Sequence, residues 1–223
     1  EDCDLRGDAC RLLSVALAGC TNRSLRSIQL VENQIEDGQV IDVIVALSMH
    51  PQLKELTLLG ANVGRNECMA LSTLLRWTTT ELQHLDLDGN NIDDEGVDIL
   101  VAALARDSKL RILDLQNNPT ISARGCQSLA AMLANPNCNL ETLNLDCNDI
   151  RDEGALVFAN ALTNNRKLKT LALCGSGVTT EGWSSFSKIL CDTSSINNTC
   201  VSNHTLESFD VGMSNLPSDV EAS

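Results

Sequence analysis

Tyrosine is missing from this 223-residue chain, and tryptophan and phenylalanine together supply only five residues. Interface hot spots favour Trp, Tyr and Arg, so a contact anchored by many aromatics is not expected. No apolar run approaches the ~18 residues that a membrane span requires. The opening EDCDLRGDAC has neither the basic start nor the apolar centre of a secretory signal. It also lacks an initiator Met, which leads us to expect an excised or processed piece of a longer protein. Positive charge is scarce: 16 Lys and Arg stand against 30 Asp and Glu, a net charge of −14. That balance argues against nucleic acid and acidic membranes as partners and is compatible with a basic protein or peptide.

Catalytic signals are missing too. There are three His, at His50, His84 and His204, with no Ser/His/Asp or Cys/His motif and no Gly-rich phosphate loop. No C-x-x-C pair occurs, and no Cys/His group has zinc spacing. We therefore expect no enzyme, no metal and no cofactor, and nothing indicates a small-molecule ligand.

What the chain does have is a repeat. The pattern L-x-x-L-x-L-x-x-N-x-I appears as LRSIQLVENQI from Leu25, LKELTLLGANV from Leu53 and LQHLDLDGNNI from Leu82. It continues as LRILDLQNNPTI from Leu110, LETLNLDCNDI from Leu140, LKTLALCGSGV from Leu168 and a weaker LESFDVGMSNL from Leu206. The starts lie 28, 29, 28, 30, 28 and 38 residues apart. Alternation within the pattern predicts a short strand. Each unit but the last then passes into helical periodicity, as in GALVFANAL. One strand and one helix cannot bury their own apolar faces, so each unit must use its neighbours as the rest of its core. Strands stack at about 4.8 Å and helices at roughly 8–10 Å, so the stack must bend with its sheet inside.

These units are identified as leucine-rich repeats, and their 28–29-residue length with a helix in every unit resembles the ribonuclease-inhibitor type. The resemblance runs from about Gly7 to Leu216. It implies an α/β solenoid, a right-handed horseshoe with a parallel β-sheet on the concave face and α-helices on the convex face. We read one domain over 1–223: a half repeat at 1–23, repeats starting near 25, 53, 82, 110, 140 and 168, and a partial repeat at 206–217. About ten extra residues form an inserted loop at 191–203. The motif Asn (Asn33, Asn90, Asn118, Asn148) should satisfy backbone groups where the chain leaves each strand; Ala61, Ser176 and Ser214 replace it elsewhere. The resemblance extends to sensor proteins of innate immunity and to a class of GTPase activators. It is specific for fold and nearly silent about function.

The repeats also alternate. At one helix position successive units carry Cys10, Val40, Cys68, Val97, Cys126, Ala155 and Trp183, so cysteine recurs every 58 residues. Those cysteines are expected in the core as small apolar residues. Alternate units enter their helices through the acidic turns IEDG, IDDEG and IRDEG, read as helix caps rather than calcium ligands. Cys191 with Cys200, and Cys3 with Cys20, are placed for local bridges in an oxidising compartment; unpaired thiols would favour a cytoplasmic home over an extracellular or organellar one. Three glycosylation sequons, at Asn22, Asn197 and Asn203, are no more than chance supplies.

Alternation sends three side chains per strand onto the concave face. The first lane is Ser27, Glu55, His84, Ile112, Thr142, Thr170 and Ser208. The central lane is Gln29, Thr57, Asp86, Asp114, Asn144, Ala172 and Asp210, and the last is Val31, Leu59, Asp88, Gln116, Asp146, Cys174 and Gly212. These 21 positions hold six carboxylates and no Lys or Arg, while Arg26, Lys54, Arg111 and Lys169 stand one residue earlier. Stacked like charges at ~5 Å repel, so folding is expected to gain nothing from them. The candidate site for a protein or peptide is therefore Glu55, His84, Asp86, Asp88, Asp114, Gln116, Asn144 and Asp146, with Trp77 as a candidate exposed anchor. The expected function is non-catalytic protein recognition within a larger receptor, sensor or scaffold. The alternatives are a GTPase-activating or other regulatory protein of the same repeat class, and a structural subunit of an assembly.

Overall fold

The computed structural model describes residues 8–21, 23–31, 35, 38–76, 81–105, 108–190 and 202–210. Trp77, Asn33, Cys3, Cys191, Cys200 and nearly all of the inserted loop lie outside them. Strand and helix alternate without exception: α1 (Asp8–Gly19), β1 (Ser27–Val31), α2 (Gln39–Leu47), β2 (Glu55–Leu59), α3 (Arg65–Arg76), β3 (His84–Asp86) and α4 (Asp94–Leu104). There follow β4 (Ile112–Asp114), α5 (Ala123–Ala134), β5 (Thr142–Asn144), α6 (Arg151–Leu162), β6 (Thr170–Ala172), α7 (Thr180–Leu190) and β7 (Ser208–Asp210). The strands form one parallel sheet in sequence order, β1 to β7. Each strand is added beside its predecessor, which is the geometry of a solenoid.

The motif leucines fill the space between sheet and helices. Leu56, Leu85, Leu113, Leu143 and Leu171, which lie in register across successive strands, are all buried. So are the leucines that flank them, Leu53, Leu82, Leu110, Leu140 and Leu168. From the helices come Val40, Cys68, Val97, Cys126 and Ala155, at the position read from the sequence as core. Burial pushes the Cys68 and Cys126 thiols up to about 12, so neither is a nucleophile at neutral pH. The aromatics collect at the C-terminal end, where Trp183, Phe186 and Phe209 pack with ring centroids 4.6–5.9 Å apart.

The turn after each strand is held by a buried asparagine. Asn90 Oδ1 accepts from the Ala61 and Val63 N–H groups of the preceding repeat (3.0 and 2.9 Å), and its amide donates to the Leu58, Leu87 and Asp88 carbonyls. Asn118 and Asn148 do the same work one and two repeats on. A second set of amides closes the other edge, where the chain approaches the strands. Asn165 donates to the Leu133 carbonyl and accepts from Lys167 and Leu168 N–H. Asn203 repeats that pattern towards Leu162, Thr205 and Leu206. Its burial makes the third sequon a structural amide rather than a glycan acceptor. His50 stands in for asparagine at the N-terminal end, its Nε2 lying 3.1 Å from the Leu17 carbonyl oxygen.

Two of the acidic turns, IDDEG and IRDEG, cap helices, with one correction to the sequence reading; Glu36 and Asp37 of IEDG lie outside the described residues. Asp93 caps its own helix, accepting from Gly96 N–H at 2.8 Å. Asp94 instead reaches forward into the next repeat: it accepts from Ser122 N–H (2.8 Å), Ser122 O–H (2.7 Å) and Gly125 N–H (2.9 Å) at the start of α5. Asp152 does the same for Thr179 at the start of α7. The carboxylate of one unit thus serves the unit that lacks one.

Candidate functional site

The sheet register aligns the lanes read from the sequence. Glu55 pairs with His84 and His84 with Ile112; Thr57 pairs with Asp86, Asp86 with Asp114 and Asp114 with Asn144. The last lane is fixed by the backbone. The Gly60, Gly89 and Asn117 N–H groups donate to the Asp88, Gln116 and Asp146 carbonyls at 2.9, 3.1 and 2.9 Å. Each donor there has a positive φ, between 51° and 67°, and that conformation turns the chain off the sheet. Three strands, β3 to β5, therefore bring Asp86, Asp88, Asp114, Gln116, Asn144 and Asp146 together. Glu55 and His84 lie at the near margin, Glu55 exposed and His84 half-buried.

The carboxylates are not idle, and this corrects the expectation that folding gains nothing from them. Asp86 Oδ1 accepts from Asp88 N–H at 3.1 Å, Asp114 Oδ1 from Gln116 N–H at 2.9 Å, and Asn144 Oδ1 from Asp146 N–H at 3.1 Å. In three successive repeats the central-lane side chain ties down the backbone two residues on, as Asx side chains do in turns. Asp88 accepts from the Asn117 amide at 2.8 Å, and Asp146 from Cys174 N–H at 2.6 Å. The Asn144 amide donates to both Asp114 Oδ2 and Gln116 Oε1 at 2.9 Å. Periodicity alone could not show these bonds, although the D-x-D and N-x-D spacing of adjacent outward residues was a signal for them.

Asp114 is the electrostatic centre of the cluster. Burial pushes its carboxyl above the usual range, and Asp86 and Asp88 add to the rise; the Gln116 N–H and the Asn144 amide pull the other way. A cation placed over Asp114 would meet charge that water solvates poorly. Nothing in the arrangement supplies a nucleophile–base pair. Among the described residues, no group of three or more His, Cys, Asp or Glu side chains is set to hold a metal. What these side chains can do is accept hydrogen bonds from ammonium or guanidinium groups.

The fold and its repeats define a leucine-rich-repeat protein. A family model described as a leucine-rich repeat matches residues 80–100, 106–130 and 137–159, the repeats that carry this cluster. Among curated proteins, the NACHT, LRR and PYD domains-containing protein 13 of Homo sapiens is 32% identical over 183 residues, covering 81% of this chain and 17% of that protein. Protein 3 of the same series from Bos taurus is 34% identical over 175 residues, covering 77% and 16%. Protein 14 from Homo sapiens is 34% identical over 183 residues, covering 80% and 16%. The chain thus spans 16–17% of the length of these relatives. No helix among the described residues is long and apolar enough to cross a membrane.

Proposed function

We propose that this chain is the non-catalytic, protein-recognition part of a larger sensor or receptor, and that it holds a basic segment of its partner on the concave sheet. The names of its relatives couple leucine-rich repeats to NACHT and PYD domains in much longer chains, which supports the larger setting. Asp86, Asp88, Asp114 and Asp146 would take the partner's Lys or Arg, Gln116 and Asn144 would add polar contacts, and Glu55 and His84 would extend the surface. Cys68, Cys126, Cys138 and Cys147 are free thiols, which supports a reducing, cytoplasmic setting.

One observation carries the reading. Asn144 makes the same i to i+2 bond as Asp86 and Asp114, so the turn needs an oxygen there and not a charge. The charge at 86 and 114 is surplus to the fold, costly at Asp114, and available to a cation.

The test is capture of a partner by the wild-type chain and by an Asp86/Asp88/Asp114/Asp146→Asn variant, at low and high salt. Because Asn keeps an oxygen for the Asp88, Gln116 and Cys174 N–H groups and gives up only the Asn144 bond to Asp114, the variant should fold and lose the partner, and salt should release it from the wild type. Binding a cation favours the ionised form of Asp114, so affinity should rise as pH climbs through that carboxyl's raised range. Capture unchanged by the variant would refute the concave site.

A further inference from the structure

The edge of the sheet where the chain enters the strands has the opposite electrical character. The residues just before each strand stack as Arg26, Lys54, Gln83, Arg111, Glu141 and Lys169, each carbonyl accepting from two N–H groups of the next repeat. Two residues earlier in their repeats stand Lys109 and Lys167. Between these rows lies a cleft of about 290 Å³ lined by Gln83, Lys109, Arg111, Asn139, Glu141 and Lys167. In a chain with so few basic residues this is a marked concentration.

The ion pairs at this edge are weak holds. Lys109 pairs with Glu81; Glu141 is shared by Arg111 at 3.0 Å and Lys169 at 2.8 Å. The three cationic side chains are 47–60% exposed, and pairs of that kind contribute about 0–1 kcal/mol. Lys167 makes no ion pair among the described residues. The lining of the cleft sets Lys109, Arg111 and Lys167 against Glu141, a surplus of two positive charges, and Lys169 beside it is flanked by Glu207 as Lys109 is by Glu81. The central-lane carboxylates Asp86 and Asp114 lie about 10 Å along the strand, beyond the physiological Debye length of about 8 Å, so screening weakens their pull on that surplus.

We propose that this cleft binds a phosphate monoester, borne by a peptide side chain or by a nucleotide. The dianion matches the surplus charge. Its oxygens suit the arrangement too: Arg111 offers a planar fork, Lys109 and Lys167 offer ammonium groups, and the Asn139 and Gln83 amides can donate to a third oxygen. Glu141 is the internal competitor, occupying Arg111 until a better anion displaces it. The inference stands on this edge alone and is independent of the concave site.

The experiment is calorimetric titration of the chain with three probes: a neutral phosphoserine hexapeptide, the same peptide unphosphorylated, and adenosine monophosphate. We expect binding by one or both phosphorylated probes, with the stronger identifying the source, and none by the unphosphorylated peptide. Affinity should fall severalfold between pH 7 and pH 5, as the phosphate, with its second pKa near ~6, loses a charge. Lys167→Gln, which breaks no ion pair, should weaken binding at least fivefold. Glu141→Gln should strengthen it by removing the competitor, an effect that a purely structural role would not produce. Absence of binding at millimolar probe, equal binding of the unphosphorylated peptide, or an unchanged affinity in Lys167→Gln would overturn the proposal.

Discussion

Between α5 and α6 the Cys126 thiol faces Gly154, whose missing Cβ would lie 3.1 Å from the sulfur. Between α3 and α4 the same pairing recurs with Cys68 and Gly96, at 3.3 Å. These two helix pairs share broader contacts than α2 with α3 or α4 with α5. At the α4–α5 junction a carboxylate reaches across instead: Asp94 caps the next helix and sits where a Cβ on Gly125 would come within 2.6 Å. Asp152 takes the same place against Gly182. So the 58-residue period has a physical content. One interface is closed by a small residue against a thiol, and the next is bridged by a charge-assisted cap. Neither unit of the pair is complete without the other.

The largest expected effect tests the bridged interface. Asp94→Ala strands the Ser122 and Gly125 N–H groups, which are partly buried, and should cost about 2 kcal/mol. Asp93→Ala, which removes a backbone bond within its own repeat and an exposed ion pair to Arg65, should cost about 1 kcal/mol, since exposed pairs add little. Urea-denaturation midpoints of the two variants decide the matter. Equal losses would mean that capping across the repeat boundary is no stronger than capping within it.

The closed interface is probed by Gly154→Ala. In an open helix this change would gain about 1 kcal/mol. Here the new Cβ meets Ile150 Cγ2 at 2.6 Å and the Cys126 sulfur at 3.1 Å, so a net loss of about 1 kcal/mol is expected instead. In a Cys126→Ala background part of that loss should disappear, with a coupling of about 0.5–1 kcal/mol in the double-mutant cycle. Additive losses would show that the two residues do not close the gap together.

The turn lane ignores the alternation and yields a gain. Gly60, Gly89, Asn117, Cys147 and Gly175 occupy equivalent positions, all with φ between 51° and 67°. Cys147, at φ 56°, bears a Cβ that this conformation disfavours. Cys147→Gly should raise stability by about 1 kcal/mol if relief of that strain outweighs the lost freedom of the unfolded chain. A lowered midpoint would mean that the side chain contributes contacts worth more than the strain.

These features differ in how far the residues announced them. Leucine spacing disclosed strands, register and core, because burial on one face of a strand obeys a period of two. The recurrence of Cys10, Cys68 and Cys126 disclosed that units differ in kind, and IDDEG disclosed caps. Which helix each carboxylate serves was hidden. Asp93 and Asp94 are neighbours in sequence, and only the backbone direction at the helix start sends one inward and the other across. The concave cluster was legible as a set of outward positions. Its bonds were only hinted at, by the D-x-D and N-x-D spacing of Asp86 with Asp88 and Asn144 with Asp146. The cation edge was half legible: Arg111 and Lys169 stood out at the strand entrances, and stacking was needed to bring Lys109 and Lys167 to the same cleft as Arg111.

The smallest expected effect separates the carboxylates of the interface from those of the sheet. The Thr179 hydroxyl and N–H hold the Asp152 carboxyl below its ordinary range. Its contribution to stability is therefore present above the unfolded value and lost as pH falls through the folded one. Burial holds Asp114 above the ordinary range, so the sign reverses. Its favourable contribution is present below the unfolded value and lost as pH rises through the folded one. At pH 7 Asp152 thus supports the fold while Asp114 opposes it. Asp152→Asn should cost about 1 kcal/mol at pH 7, whereas Asp114→Asn, which keeps the Gln116 bond and sheds a poorly solvated charge against the loss of the Asn144 bond, should stay within about 0.5 kcal/mol of the wild type. Stability measured from about pH 7 to about pH 2 should fall less steeply for Asp152→Asn than for the wild type and more steeply for Asp114→Asn. If Asp114→Asn instead costs as much as Asp152→Asn, the charge on the sheet belongs to the fold, and the case for a cation-binding concave face goes with it.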